Sequence, residues 1–411
     1  MTSDSQRKEE HKDRLWVISE LYYPEETSTG YYLTRIAEGL TDKFDVKAIS
    51  GQPNYSARGT IAPKREKHKG VEIFRSTGTR LDKNVIVFRL INMLTLSASV
   101  FFNAVYRFAA GDRVLVVTNP PTIPFIVALA SLFRGASYTL LIHDNYPEIL
   151  IAVKKMRPGS FSATFLAYLN RWLYKYAAKI IVVGRDMEEL AARKTEGLDV
   201  PIVTIPNWAE LESISPRPKK DNVLLAELNI ADKFVLLYAG NMGHPNDIES
   251  IVNCAERLLN DSRIHFIFLG AGVKRQWLSN QIKSRSLSNI TLLDPKPRSE
   301  QQIFLNACDV ALVSLVDNMY GVSMPSRTYN ILAVGKPIIA LTEQNSELAR
   351  IIDEERIGWV VTPGSVDELH STIVDSAVGT AELEEMGKRA RVAAETKYSL
   401  QTALEKYRSA L

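Results

Sequence analysis

The sequence predicts an α/β protein built from two doubly wound, Rossmann-like domains facing each other across a cleft, and three observations carry that expectation. Short β-branched apolar runs alternate with segments of helical period, the grammar of βαβ units and a largely parallel sheet. The alternation occurs twice along 411 residues, more than one hydrophobic core usually supports. A polar stretch rich in Pro and Lys, Ser213-Ile-Ser-Pro-Arg-Pro-Lys-Lys-Asp221, separates the two sets as a linker would.

Taken in chain order, residues 1–13 are a mixed-charge polar run without an apolar centre, which excludes a signal peptide and predicts a disordered tail. The first domain spans 14–206, with strands expected at 15–19, 45–50, 113–118, 138–142 and 179–183. Between them lies an apolar run, 90–106, interrupted by Asn92, Thr95, Ser97, Ser99 and Asn103 and bracketed by Arg89 and Arg107. It falls short of the ~20 predominantly apolar residues of a membrane span. It reads as a core helix, one side of which can lean on a bilayer.

A hinge is expected near Asn207, followed by a second domain at 207–385. Its strands are predicted at 234–238, 264–269, 290–293, 310–314, 338–341 and 358–362. The last segment, 386–411, is helical in period and long enough to return and brace the first domain. The carboxyl ends of the strands in both sheets would then border the shared cleft, and function is expected there.

Composition narrows the partners. Between Arg14 and Ile205 there are 25 Lys and Arg against 17 Asp and Glu, a balance of +8 that the rest of the chain offsets to a total of +3. The first half should face something acidic. The basic residues form no aromatic-interleaved stripe, so a nucleic-acid partner is not expected. Cys254 and Cys308, alone in apolar surroundings, indicate neither a disulfide framework nor a cysteine metal site and fit a reducing cytoplasm. There is no phosphate-binding P-loop, no dinucleotide fingerprint after the first strand, no His-Glu-x-x-His and no Gly-x-Ser-x-Gly.

The chemistry-bearing segments lie at strand ends. In Pro325-Ser-Arg-Thr-Tyr-Asn-Ile-Leu-Ala-Val-Gly-Lys-Pro337, Ser326 is placed to start a helix and Arg327 puts a permanent charge on its first turn, an anion-binding arrangement. Tyr238-Ala-Gly-Asn-Met-Gly243 follows a strand and precedes a helix, so Gly240 and Gly243 can let backbone amides approach a phosphate. Phe268-Leu-Gly-Ala-Gly-Val-Lys-Arg275 repeats that grammar, with Gly270, Gly272, and the cations Lys274 and Arg275 suited to a diphosphate. His143 and Asp144 end a first-half strand and can position hydroxyls or move a proton, while Glu148 reads as a first-turn helix residue. The long first loop, residues 19–32, brings Gly30 to the start of a helix, where a sugar or phosphate could approach.

Ile205-Pro-Asn-Trp208, Tyr238-Ala-Gly-Asn-Met-Gly243, Leu269-Gly-Ala-Gly272, Cys308-Asp-Val-Ala-Leu312 and Pro325–Pro337 together resemble the family 4 glycosyltransferases, over nearly the whole chain from Leu15. His143-Asp-Asn-Tyr-Pro-Glu148 is similar to a segment of the bacterial WcaI/WbuB type, which builds surface polysaccharides. The resemblance implies the GT-B fold, a nucleotide-sugar donor held by the second domain, an acceptor held by the first, no metal or cofactor, and retention of anomeric configuration. By it, Arg327 and the Gly240–Gly243 loop would stabilise the leaving diphosphate, His143 would touch the transferred sugar, and Gly30 would border the phosphates. The sequence also departs from the family. Two glutamates common in it are replaced by Val322 and Asn330, the latter left to hydrogen-bond a ribose hydroxyl. An Arg and a Lys of the loop after the first strand of domain two are replaced by Asn241 and Asn246.

The expected activity is transfer of a hexose-type sugar from a nucleoside diphosphate sugar to a lipid-linked or glycan acceptor, in the cytoplasm at the inner membrane face. The alternatives are a GT-B sugar-nucleotide epimerase and a non-catalytic nucleotide-sugar-binding subunit.

Overall fold

A computed structural model of the chain describes residues 12–53, 61–79, 81 and 85–411. The tail expected at 1–13 lies outside the described residues as far as residue 11. Contacts gather the chain into two compact units. One holds the residues up to Ile142 together with Leu173–Ile181 and Tyr407–Leu411, and the other holds His143–Trp172 and Val182–Lys406.

In the first unit the strands are β1 (Arg14–Ser19), β2 (Asp45–Ser50), β3 (Arg65–His68), β4 (Val71–Arg75), β5 (Arg113–Val117), β6 (Ser137–Ile142) and β7 (Lys179–Val182, its last residue counted with the second unit), lying side by side as β3-β4-β2-β1-β5-β6-β7. The pairs β2–β4, β1–β2, β1–β5 and β5–β6 are parallel, and the hairpin β3–β4 is antiparallel. The crossing helices are α1 (Ser28–Gly39), α2 (Ile86–Arg107) and α3 (Ile123–Arg134). Covered on both faces, the central strands are continuous apolar runs such as Val-Leu-Val-Val in β5, as parallel strands require. Trp16 sits at the centre of this core between Phe74 and Phe108, and its indole N–H, which burial would otherwise orphan, donates to Asp112 at 2.8 Å. The end of the chain also belongs here, where Arg408 donates to the carbonyl of Gly39 at 2.9 Å and pairs with Asp42 at 3.0 Å.

The hairpin strand β3 has no apolar residue; it is an edge held by charge. Arg65 and Lys47 both reach Glu72, and Glu66 pairs with the buried Arg75. Such a strand leaves no period-2 apolar signal, which is why the sequence pattern does not reveal it.

The second unit begins with α4 (Glu148–Ala152), α5 (Phe161–Lys175, whose last turn returns to the first unit), α6 (Arg185–Lys194), β8 (Ile202–Thr204) and α7 (Val223–Glu227). Its sheet contains β9 (Phe234–Ala239), β10 (Ile264–Leu269), β11 (Ile290–Leu293), β12 (Val310–Ser314), β13 (Ile338–Leu341) and β14 (Gly358–Val361), in the order β11-β10-β9-β12-β13-β14 and parallel throughout. All of these strands fall where the apolar runs predict them. The helices are α8 (Ile248–Arg257), α9 (Arg275–Ser284), α10 (Gln301–Leu305), α11 (Arg327–Ala333), α12 (Glu347–Glu355), α13 (Val366–Ser376), α14 (Thr380–Thr396) and α15 (Leu400–Ala410). The strand order reverses between β9 and β12, so the loop after β9 opens at a switch point, where doubly wound sheets bind ligands. Ile205 and Trp208, read as the entrance to a linker, are fully buried within this unit.

Candidate active site in the second unit

Arg327 is the first residue of α11, a helix of only seven residues. Ser326 occupies the cap position as its sequence predicts, but its backbone is already helical and its side chain makes no capping bond. The charge, not the cap, is what this helix start offers. Three contacts orient the guanidinium. It stacks over the ring of Tyr238 at 4.7 Å, one of its terminal nitrogens donates to Asn246 Oδ1 at 2.7 Å, and the other, Nη1, lies against Gly240. Nη1 is buried and has no hydrogen-bond partner among the described residues. A buried, charged donor without an acceptor costs several kcal/mol unless an anion completes it.

Gly240 explains how the charge comes so close to the backbone. Its φ of +147° is in the region side chains avoid, and a Cβ there would stand 2.9 Å from Arg327 Nη1. The neighbouring glycine loop is locked to this one: Gly240 N–H donates to Leu269 O at 2.9 Å and Met242 N–H to Ala271 O at 2.7 Å. A Cβ on Gly270 would fall 2.0 Å from the carbonyl oxygen of Gly240, and one on Gly272 2.4 Å from that of Met242. Gly270 and Gly272 therefore hold two loops together. Gly243 is buried inside the first of these loops, beside Asn241.

Asn246 is the hub. Besides taking Arg327, it donates to the carbonyl of Asn241 at 3.0 Å and accepts the Lys274 ammonium on its own carbonyl at 2.7 Å. Lys274 also pairs with Glu249 at 2.8 Å. Arg275 turns elsewhere, to Asp294 at 2.6 Å and to Gly270 O at 3.2 Å. Of the two cations expected near a diphosphate, Lys274 thus joins the Arg327 network and Arg275 does not. The start of α8, the helix expected to meet phosphates, is already occupied by the Asp247 carboxylate, which accepts from Ser250 N and Gly364 N.

His143 and Asp144 belong to this same unit. Asp144 forms a single antiparallel bridge with Ser323, and Asn145, fully buried, donates from its backbone to Val322 O and from its side chain to Gly321 O, both at 2.8 Å. Gly321 N–H is held on its other side by Asp186 at 3.2 Å. The pair is thereby tied to the loop leading into Arg327. Both side chains are half-buried and closely enclosed; burial pushes the imidazole down to about 4 and the Asp144 carboxyl up to about 6. At neutral pH His143 is uncharged, with one nitrogen to donate and one to accept. Glu148 opens α4 and pairs with Lys194 at 2.7 Å.

Asn330 is fully engaged. Its Oδ1 accepts from Glu210 N at 3.0 Å, and its amide donates to Glu210 Oε1 at 3.1 Å and Gln301 Oε1 at 2.9 Å. Its polar atoms hold Glu210 in place, and Glu210 also pairs with Arg298. Gly30 lies in the first unit, in the first turn of α1, where a Cβ would stand 2.8 Å from Glu25 O; packing alone demands a glycine there. The residues that sequence reasoning passed over are Asn145 and Asp186. Buried polar side chains at a strand end and beside a helix start were the available signal.

The sequence pattern of the family described as glycosyl transferases group 1 matches residues 222–392, and that of the glycosyl transferase 4-like domain matches 28–208. The chain is a family 4 glycosyltransferase. This glycosyltransferase is 29% identical over 401 residues to WbjE of Pseudomonas aeruginosa, assigned as a glycosyltransferase, covering 96% of each chain. It is 25% identical over 364 residues to WcaI of Escherichia coli K12, assigned as a colanic acid biosynthesis glycosyl transferase, covering 85% of this chain and 88% of that one. Its fold is similar to that of sucrose-phosphate synthase from Thermosynechococcus elongatus (TM-score 0.76, 15% identity, 97% and 98% of the chains). It also resembles Anabaena HepE solved with UDP and glucose (TM-score 0.73, 14% identity, 97% and 99%). The fold class is GT-B, and family membership favours transfer over the epimerase and non-catalytic readings.

Proposed function

We propose that this glycosyltransferase moves a hexose-type sugar from a nucleoside diphosphate sugar to a lipid-linked or glycan acceptor in surface polysaccharide synthesis, in the cytoplasm. The observation that carries the donor half is Arg327 Nη1, a buried charged donor beside Gly240 at the switch point of the second sheet, with no partner among the described residues. A diphosphate supplies the acceptors it lacks, and Lys274, one residue away through Asn246, adds a second positive charge. HepE, solved with UDP-glucose, supports a UDP-type donor, and WcaI, assigned to colanic acid biosynthesis, supports a polysaccharide product.

In the mechanism, charge develops on the oxygen bridging sugar and diphosphate as the glycosidic bond breaks, and a guanidinium oriented in advance stabilises it without reorganisation. This route needs no metal, because the cationic side chains carry the charge. The departing phosphate accepts the acceptor proton on the face it leaves, which gives retention. Neutral His143 holds a hydroxyl of the sugar, and Asp144, ionised above about pH 6, orients it.

A thermal-shift panel of UDP, GDP, dTDP and ADP sugars tests the donor, because binding stabilises the fold by mass action. One nucleotide should raise the melting temperature, and its diphosphate should be released quickly only with an acceptor present. Stabilisation by none of the four, or epimerised sugar without acceptor, would overturn the reading.

A further inference from the structure

Asp186, in the first turn of α6, is 3% exposed, and its carboxylate accepts backbone N–H groups from three segments. One oxygen takes Met187 N at 2.7 Å; the other bridges Gly321 N at 3.2 Å and the N–H of Glu347, the first residue of α12, at 3.0 Å. The equally buried Glu347 carboxylate answers from the opposite side, accepting from Arg185 N at 2.9 Å and Arg185 Nε at 2.8 Å. Each acid thus satisfies an opening N–H of the other's helix, and Gly321 joins the exchange from outside both. A carboxylate buried this deeply is destabilising unless its partners are fixed, and burial holds the Asp186 carboxyl above its usual range even though the three N–H groups draw it down.

Gly321 is clamped through both of its backbone polar groups, its N–H by Asp186 and its carbonyl by the Asn145 amide at 2.8 Å. Its φ is +71°, and a Cβ there would stand 2.8 Å from Asp186 O and 3.0 Å from Leu190 Cβ, so α6 leaves no room for a side chain. The residues beside it are fixed as well: Tyr320 N donates to Glu343 at 2.7 Å, and Val322 is buried with Leu315 and Met319. Ser323 then bridges Asp144, and the chain enters α11 at Arg327.

We propose that Asp186 is a positioning residue of the transferase: by holding the N–H of Gly321 it sets where this loop delivers Arg327 and where Ser323 meets Asp144. Among the described residues its hydrogen bonds reach neither the glycine loops nor Lys274, so it takes no part in holding the donor there. Its loss should slow the step in which charge develops at Arg327 more than it weakens donor binding, since a displacement of about 1 Å at a catalytic group can cost about 10²-fold in rate. The inference rests on the reading that places Arg327 against the leaving diphosphate.

The test is steady-state release of nucleoside diphosphate by the full chain, measured well below the melting temperature of each variant. Asp186→Ala should lower kcat about 10- to 100-fold with the donor KM within about threefold of native. Asp186→Asn keeps an oxygen for Gly321 and Glu347 and should recover most of that turnover. Glu354→Gln breaks the 2.7 Å ion pair by which Arg185 ties the same two helices, without touching Gly321, and should keep kcat within about twofold. Gly321→Ala should slow turnover by a factor like that of Asp186→Ala, and the double variant should be no slower than the slower single one, because both act along one path. Gly321→Ala also carries the test where Asp186→Ala does not fold. Native kcat in either single variant, an equal loss in Glu354→Gln, a loss confined to KM, or effects that multiply in the double variant would overturn the inference. Native turnover by Arg327→Ala in the same assay would instead overturn the diphosphate reading, and this inference with it.

Discussion

Replacing Arg327 should separate the catalytic contribution proposed for the guanidinium from its structural one. In the folded protein it donates one 2.7 Å bond to Asn246 and stacks at 4.7 Å on Tyr238. A hydrogen bond to a charged group contributes about 1.5–3 kcal/mol, and a partly desolvated cation–π contact about 0.5–2 kcal/mol. Because Nη1 has no partner among the described residues, removing the side chain also removes a buried, uncompensated donor, which offsets part of that loss. Arg327→Ala should therefore cost only about 2 kcal/mol of folding stability. The rate should suffer more, because one preorganised donor to a developing anion contributes about 10²–10³ in kcat. Arg327→Lys keeps the charge but cannot stack, bond Asn246 and present a third donor together, so it should recover only part of the rate. The assay is initial-rate release of nucleoside diphosphate with saturating donor and acceptor, run well below the melting temperature of each variant. Turnover of Arg327→Ala within about threefold of the native enzyme, a difference under ~1 kcal/mol, would refute the reasoning.

Two further outcomes test the same unit. Asn145→Ala deletes the 2.8 Å bond to Gly321 O and leaves a buried carbonyl short of a donor; it should lower stability by about 1–3 kcal/mol and reduce kcat more than it raises the donor KM, as steady-state kinetics would record. For pH, burial lowers His143 from 6.5 to about 4, so between those values only the unfolded chain gains its proton, and acid favours unfolding; Asp144, raised from 3.8 to about 6, gains its proton first in the folded chain and works the other way. The two contributions nearly cancel, and His143→Gln should leave the second alone, so that urea midpoints of the variant rise relative to the native protein as pH falls from 6 to 4.

The second sheet was legible because its strands are predominantly apolar, interrupted inside β10 by His265 and inside β11 by Thr291, and a central parallel strand covered on both faces is written that way. The β3–β4 hairpin was not, because its edge strand is held by Arg65, Lys47 and Glu72 rather than by burial. The same contrast runs through the site. Arg327 and Gly240 stood out as a charge and a glycine at strand ends, yet that Gly270 serves Gly240 depends on two backbones meeting in space. Asn330, read as a ribose contact, is bound to Glu210, 120 positions away, a partner no local pattern can disclose. Lys274 and Arg275 are adjacent in sequence yet turn to different partners, Glu249 and Asp294.

The bonds from Asn145 to Gly321 and Val322 decide how this enzyme can be taken apart. A fragment begun at residue 207 to isolate nucleotide binding would leave behind His143, Asp144 and the adjacent Asn145, and the loop leading to Arg327 would lose both donors from that strand end. The piece that keeps this loop supported is discontinuous in sequence, made of 143–172 and 182–406. Exchanging the donor half with a relative's is therefore a two-segment operation, and a hybrid joined only at the linker would carry a mismatched strand end against its own nucleotide loop.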